Sequence, residues 1–323
     1  MPKWPTYLGN RYPQDFTWFA NLILRGRKGR LLNDGTFVNY YGPMLGWQRY
    51  PMHQAIFIIG LTQMWEKNPD DRVKNLILRE SKNLLQCSTI ATSNAIGFPA
   101  KFAILGYRLP PVWYSSLTQS FVASAFCRVG LIHSDSEWLE YAGQALRFII
   151  QNKTLCTFEA QSGGFWYQEY PGVPAMPVLN GHLYALVGFL DIASRSDSKE
   201  FFSYFDEGLS ALLARISCYD ANGLAYYDST RKILAKPYYQ KLHVTLLRFL
   251  ASVTGEKRLY EFADRWEDGF RRKWGMKAWM SYAKKTLENG LRIEGLKFPL
   301  SYVSYALGDP GISFVPRITA ALP

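Results

Sequence analysis

The sequence is poor in the residues on which several common chemistries depend. Its 323 residues include four cysteines (Cys87, Cys127, Cys156, Cys218) and four histidines (His53, His133, His182, His243). The cysteines stand far apart with no Cys-x-x-Cys pair, which argues against a zinc ribbon or a dithiol redox motif and reads as reduced core thiols. The histidines share no ligand spacing, so no metal site is expected. There is no Gly-x-Ser-x-Gly elbow, no P-loop, no Gly-x-Gly-x-x-Gly after a strand and no His-Glu-x-x-His. Nor is there an apolar run of about twenty residues, and the opening MPKWPTYLGNRYPQDF lacks the apolar centre of a secretory signal. The expectation is a chain that neither spans a membrane nor is exported. It would sit in the cytoplasm as a bacterial-type enzyme, with a Golgi or luminal place reserved for a truncated form of a longer protein.

Acidic residues are also in deficit. Asp and Glu number 26 against 37 Lys and Arg, a net charge of +11. Such a surface concentrates polyanions, whether nucleic acid, anionic lipid or acidic polysaccharide, and charge alone does not rank them. The densest basic run, Leu24 to Arg30, has no helical face and reads as a solvated loop, with an anion-binding arm as the alternative. Aromatics reach 16% of the chain, with 21 Tyr and 10 Trp. Rings of this kind stack on sugars while their O–H and N–H groups hydrogen-bond, which favours the polysaccharide over nucleic acid.

The apolar periodicity predicts helices in pairs: Pro51 to Glu66 with Pro69 to Leu85, Trp113 to Gly130 with Ser136 to Ile150, Val178 to Ala193 with Lys199 to Ile216, and Tyr238 to Val253 with Lys257 to Lys273. The first helices start about 60 to 65 residues apart, an internal repeat of helix, turn, helix and long loop. The first helix of a pair is poor in charge and the second carries a charged face, so the first lies inside and the second outside. The predicted fold is all-α dominated, an incomplete α/α toroid of about four helical hairpins. Its long loops, Gln86 to Val112, Gln151 to Pro177 and Cys218 to Pro237, would meet at one mouth and carry short β-hairpins. Residues 1–50 read as irregular with a strand pair around Asn33-Asp34-Gly35, and residues 274–323 as an extension with a helical stretch through Glu288. The whole reads as one catalytic domain.

The most pointed segment is Gly163 to Gly181, GGFWYQEYPGVPAMPVLNG. It sets a lone carboxylate, Glu169, among Trp166, Tyr167 and Tyr170. A carboxyl desolvated by rings has its pKa raised toward neutrality, as a general acid or base requires; the plainer reading is a loop glutamate in a salt bridge. The next mouth loop holds Tyr226-Tyr227-Asp228 and Tyr238-Tyr239, with His243 one turn on. Cations in a basic cleft would lower a phenol's pKa there and make tyrosine a proton shuttle, although tyrosines in a hairpin are more often packing residues.

Four segments resemble the C-terminal catalytic region of glucuronyl C5-epimerases. They are Tyr50-Pro51 with Ala55; Pro110-Pro111-Val112-Trp113-Tyr114-Ser115 with Gln119; Trp166-Tyr167-Gln168-Glu169-Tyr170-Pro171 with Val178-Leu179-Asn180-Gly181; and Tyr227-Asp228 with the Tyr-x-x-x-His pair Tyr239 and His243. The resemblance runs over about Tyr40 to Phe270 and implies an α/α toroid that turns glucuronate into iduronate in a heparosan-like chain. It places the catalytic glutamate on Glu169 and the catalytic tyrosines on Tyr170, Tyr227 and Tyr239. Substrate contacts are expected from Trp113, Tyr114, Trp166, Tyr167, Asn180, Arg231 and His243. Gln168 replaces a second glutamate of the family, the interval from Tyr227 to Tyr239 is shorter, Arg231 stands one place off the family's arginine, and the β-rich N-terminal domain of the animal enzymes is missing.

Inverting C5 needs two proton carriers on opposite ring faces and donors or cations at the substrate carboxylate. Glu169 and Tyr239 are the expected pair, with Tyr170 and Tyr227 donating hydrogen bonds or serving as alternate acid. Arg231, Lys236 and Lys241 are the nearby cations. No cofactor is expected, because nothing is oxidised or reduced. The partner is an acidic polysaccharide and not nucleic acid, and homodimerisation stays open. The rival readings are a polysaccharide lyase on the same fold, a glycoside hydrolase with Asp228 as second carboxylate, and a non-catalytic binder of acidic glycans.

Overall fold

The computed structural model describes residues 12–273 except 33–35, 105–106, 160–163, 172–174 and 197. The predicted turn at Asn33-Asp34-Gly35 and the tail 274–323 lie outside the described residues. The chain begins with α1 (Thr17–Leu24) and a small antiparallel sheet of β1 (Arg30–Leu31), β2 (Phe37–Tyr40) and β3 (Trp47–Gln48). A helical hairpin follows, α2 (Pro51–Lys67) and α3 (Asp71–Leu85), and then the strand pair β4 (Thr89–Thr92) and β5 (Ala95–Gly97). The second hairpin is α4 (Ser116–His133) and α5 (Ser136–Gln151). It leads through α6 (Lys153–Cys156) into β6 (Thr157–Glu159) paired with β7 (Phe165–Tyr167). The third is α7 (Leu179–Ser196) and α8 (Lys199–Arg215), followed by β8 (Tyr226–Asp228) with β9 (Ile233–Leu234). The fourth is α9 (Pro237–Thr254) and α10 (Lys257–Lys273).

Local chemistry sets these boundaries. Asp70, Ser115, Asp135 and Ser198 each accept a backbone N–H from the first turn of the following helix, which satisfies donors the helix itself leaves open. Pro51 and Pro237 open α2 and α9, where a missing N–H costs nothing. The second inner helix starts at Ser116, later than the expected Trp113. The backbone of Trp113 is already committed to a bridge with Ala100, and Ser115 provides the cap.

The inner helices α2, α4, α7 and α9 pack side by side in sequence order, and α3, α5, α8 and α10 each pack on the inner helix before them. This is the α/α toroid, left open because α9 makes no substantial packing against α2 among the described residues. Burial follows the two rings: α7 is buried from Leu179 through Ala193, whereas α3 buries one face only. The inner ring does hold a charge pair. Arg128 on α4 meets Asp191 on α7 at 2.8 Å, both buried, and Ser124 donates to the same carboxylate at 2.6 Å. Cys87, Cys127 and Cys156 are buried as expected, but Cys218 is exposed: it falls in the short 3₁₀ turn after α8, whose inward positions are taken by Ile216 and Tyr219.

Candidate active site

The loops that close the toroid at the N-terminal end of the inner helices build the site. Leaving β7, the chain is pinned at Gln168. The Gln168 amide donates to the Cys156 carbonyl at 2.8 Å, its carbonyl accepts from the Ser116 N–H at 2.9 Å, and its side chain turns back to the Thr157 carbonyl at 2.9 Å. Neighbouring residues of an extended chain face opposite ways, so pinning Gln168 on one side turns Glu169 to the other, toward the first turn of α7.

Glu169 is nonetheless buried, 5% exposed. Its Oε2 accepts from Asn180 Nδ2 at 2.9 Å, its Oε1 accepts from the Tyr227 hydroxyl at 3.2 Å, and Tyr170 adds a further side-chain hydrogen bond. Burial opposes ionisation more strongly than these three partners favour it, and the carboxyl's pKa is pushed up to about 7. Asn180 and Gly181 belong to the first turn of α7. A Cβ on Gly181 would stand 2.5 Å from the Glu169 Cβ, so the Asn-Gly step is what lets the carboxylate lie against the helix.

Tyr227 and Tyr239 come together from β8 and α9, with ring centroids 4.8 Å apart. Tyr227 does not follow the expectation for a phenol in a basic cleft. Burial, the Glu169 carboxyl and the surrounding phenols raise its pKa well above the ordinary value, so it stays protonated and donates to Glu169. Tyr170 lies flat against Tyr107, centroids 3.9 Å apart and planes at 16°, and the Arg231 guanidinium is centred 5.3 Å from the Tyr107 ring. All three mouth loops therefore meet in the Arg231, Tyr107 and Tyr170 contacts. Of the other two cations, Lys236 is half-buried, its pKa lowered by burial to about 8, while Lys241 is exposed with its Nζ 6.0 Å from the Phe270 ring.

Several expected substrate contacts are placed elsewhere. Trp166 is wholly buried and stacks on His182 at 4.0 Å and on Tyr219 at 5.4 Å; Tyr167 is buried and donates to the Tyr204 carbonyl. Trp113 is buried with its indole N–H bonded to the Phe102 carbonyl. Tyr114 faces the outer helices, its hydroxyl bonded to Thr89 and its ring 4.6 Å from Phe148. Asn180, by contrast, stands at the site, where its Nδ2 donates to Glu169. His243 is buried behind Tyr239 at a centroid distance of 6.4 Å, and burial lowers its pKa to about 3, so it is neutral. Asp228 shapes a turn: its Oδ1 accepts the Thr230 and Arg231 amides.

Tyr107 and Gly181 were not singled out as site residues. Tyr107 sits in an aperiodic loop and gains its place only by contact with another loop. Gly181 stood in the motif, but its reason, the close approach of Glu169, is a fact of packing. Among the described residues no group of His, Cys, Asp or Glu could hold a metal ion, and no helix is long and apolar enough to cross a membrane.

The family described as D-glucuronyl C5-epimerase C-terminus matches residues 92–268, more than half of the chain. A D-glucuronyl C5-epimerase of Caenorhabditis elegans is 29% identical over 177 residues, covering 49% of this chain and 29% of the relative. An uncharacterized protein of Methanocaldococcus jannaschii is 22% identical over 167 residues, covering 50% of this chain and 54% of the relative. The chain thus spans less than two thirds of the length of either. Among solved structures, a GH76 α-mannanase of Bacteroides thetaiotaomicron aligns over 93% of this chain and 83% of its own with a TM-score of 0.56 at 12% identity. At that identity the likeness is one of fold, the α/α toroid.

Proposed function

Because the chain belongs to the D-glucuronyl C5-epimerase C-terminal family, we propose that it inverts C5 of glucuronate residues in a heparosan-like acidic polysaccharide. The observation that carries this reading is Glu169: a buried carboxyl with a pKa near 7, held by Asn180, Tyr170 and Tyr227. Removing the C5 hydrogen of a uronate needs a base that is ionised near neutrality yet poorly hydrated, and this environment supplies one.

In the proposed reaction a Glu169 oxygen takes the C5 proton, and the C–H electron pair moves into the C5–carboxyl bond as an enolate. Tyr227, kept protonated by its surroundings, and Tyr170 donate hydrogen bonds. Arg231 is the cation offered to the substrate carboxylate, since charge grows there in the transition state. Tyr239 gives its phenolic proton to C5 from the opposite face. The Glu169 proton then returns to the Tyr239 oxygen by way of Tyr227, whose hydroxyl is bonded to Glu169 and whose ring abuts Tyr239. No bond to the neighbouring sugar breaks, and no electron leaves the substrate. The turn-building role of Asp228 weighs against a hydrolase with that residue as second carboxylate.

Glu169→Gln tests the assignment. It keeps the size of the side chain and one accepting oxygen but removes the base. Heparosan binding is expected to persist while turnover falls by about a thousandfold or more, the scale of losing a principal general base. Turnover within a few-fold of the parent would contradict the assignment.

A further inference from the structure

The basic run after α1 and the sheet that follows it form a surface the reaction does not use. Between Asp15 and Glu66 the sequence holds a single acidic residue, Asp34, against Arg25, Arg27, Lys28, Arg30 and Arg49. Lys28 turns inward, its ammonium 4.5 Å from the Phe19 ring centre. Arg25, Arg27 and Arg30 stay exposed, and none forms an ion pair among the described residues. The sheet supplies the rings that the basic run lacks. Pairing Arg30 with Val38 and Tyr40 with Trp47 sets these four residues on one face. On the opposite face Phe37 is buried against Phe19 and Phe57. The Arg30 guanidinium is centred 4.0 Å from the Trp47 ring, and Tyr40 meets Trp47 at 5.3 Å. Trp47 nevertheless remains 43% exposed and Tyr40 49%. Two such rings in contact with each other and with an arginine form an exposed patch, where a ring standing alone would not.

The strand that carries this face leads on, through buried rings, toward the candidate active site. Tyr41, the residue after Tyr40, contacts Phe102 at 4.9 Å; Phe102 contacts Trp113, and Trp113 contacts Tyr170 at 5.9 Å. One aromatic seam therefore joins the end of β2 to the tyrosine bonded to Glu169.

We infer that the Arg30, Tyr40 and Trp47 face, with Arg25 and Arg27 beside it, is a second docking site for an acidic polysaccharide strand whose reacting residue lies at Glu169. The inference takes its class of polymer from the proposed function. The match is chemical: half-open rings receive the apolar faces of sugars, and unpaired guanidinium groups receive carboxylates in forked hydrogen bonds. Nucleic acid would meet the same rings and guanidinium groups, and single-stranded DNA is therefore the competing probe in the test.

The test is affinity of the full chain carrying Glu169→Gln, with heparosan polymer as probe and tryptophan fluorescence and calorimetry as readouts. Trp47→Ala and Arg30→Ala should each weaken binding by about tenfold, roughly one contact of 1.4 kcal/mol. Trp47→Tyr should restore most of it, and Tyr260→Ala, an exposed ring on α10, should change nothing. Thermal melting and the Arg25→Gln/Arg27→Gln double variant, changed only at exposed sites, guard against a folding defect; that variant should also weaken binding. Three results would overturn the inference: no heparosan binding by the parent, unchanged affinity in folded Trp47→Ala, or equal binding of single-stranded DNA lost with the same variants. Turnover is read separately. A chain that binds through Trp47 but never turns heparosan over keeps this site and loses the epimerase reading; turnover with affinity indifferent to Trp47 does the reverse.

Discussion

Tyr107 lies flat on Tyr170, with ring centroids 3.9 Å apart and planes inclined by 16°. The contact joins the loop before α4 to the loop before α7, and Arg231, 5.3 Å from the Tyr107 ring centre, brings in the loop before α9. Through Tyr170 it bears on the hydrogen bonding of Glu169, which gives Tyr107 a positioning role if Glu169 is the base proposed above.

Removing that ring should disturb the base without touching it. Tyr107→Ala is expected to lower kcat/KM by about tenfold, the scale of one lost aromatic contact of 0.5–1.5 kcal/mol. It should also move the acid limb of the pH profile upward, since a Tyr170 that drifts no longer stabilises ionised Glu169. Tyr107→Phe keeps the stack and should behave as the parent. Steady-state kinetics across pH on the three proteins checks this; equal profiles in all three would remove the role.

The Glu169 environment fixes the sign of two pH effects. A base must be ionised, so kcat/KM should rise with pH through about 7 and level off above it. Stability runs the other way. The folded-state pKa is raised from 4.5, so this group's contribution is fully present below about 4.5 and is lost as pH rises through about 7. Replacing it in Glu169→Gln should leave the variant more stable than the parent at pH 8, by on the order of 3 kcal/mol, and not at pH 4. Denaturant unfolding of both proteins at the two pH values gives the comparison.

Gly181 should tolerate no side chain. The Cβ of Gly181→Ala would stand 2.5 Å from the Glu169 Cβ, so either the carboxylate or the start of α7 must move. Overpacking of this kind costs about 1–3 kcal/mol, and here it also displaces the base. Activity should fall further than stability alone accounts for, as shown by kcat in the fully folded variant beside its melting temperature.

The Arg128 and Asp191 pair should be costly to break and cheap to replace. Arg128→Ala strands a buried carboxylate and should cost about 3–5 kcal/mol, whereas Arg128→Met with Asp191→Leu should recover most of that loss. Chemical denaturation of the single and double variants distinguishes a pair kept for its own stability from one whose halves merely need each other.

The paired helices were legible because each depends on local pattern: charge-poor α7 inside, charged α3 outside. Helix starts were less so, since Ser115 caps a helix that the apolar pattern already begins at Trp113. Glu169 could be read as a lone carboxylate among rings. Tyr170 and Tyr227 could be named with it from the family resemblance, but the places of Trp166 and Tyr167 could not be read. Trp166 and Tyr167 are adjacent in sequence, but β7 carries them into the core to meet His182, Tyr219 and Phe189. Tyr107, 62 positions before Glu169, arrives by loop-to-loop packing that no local pattern encodes. The Tyr227 phenol was misjudged for a related reason. Net charge suggested a cationic surrounding, whereas its actual neighbours are a carboxyl and other phenols.

The central claim is tested most directly by incubating the chain with heparosan in deuterated water and following C5 by NMR, with near-ultraviolet absorbance read alongside. Epimerisation gives deuterium at C5 and the appearance of iduronate signals, with no absorbance from unsaturated uronate. Absorbance with chain shortening, or heparosan left without deuterium at C5, would contradict it.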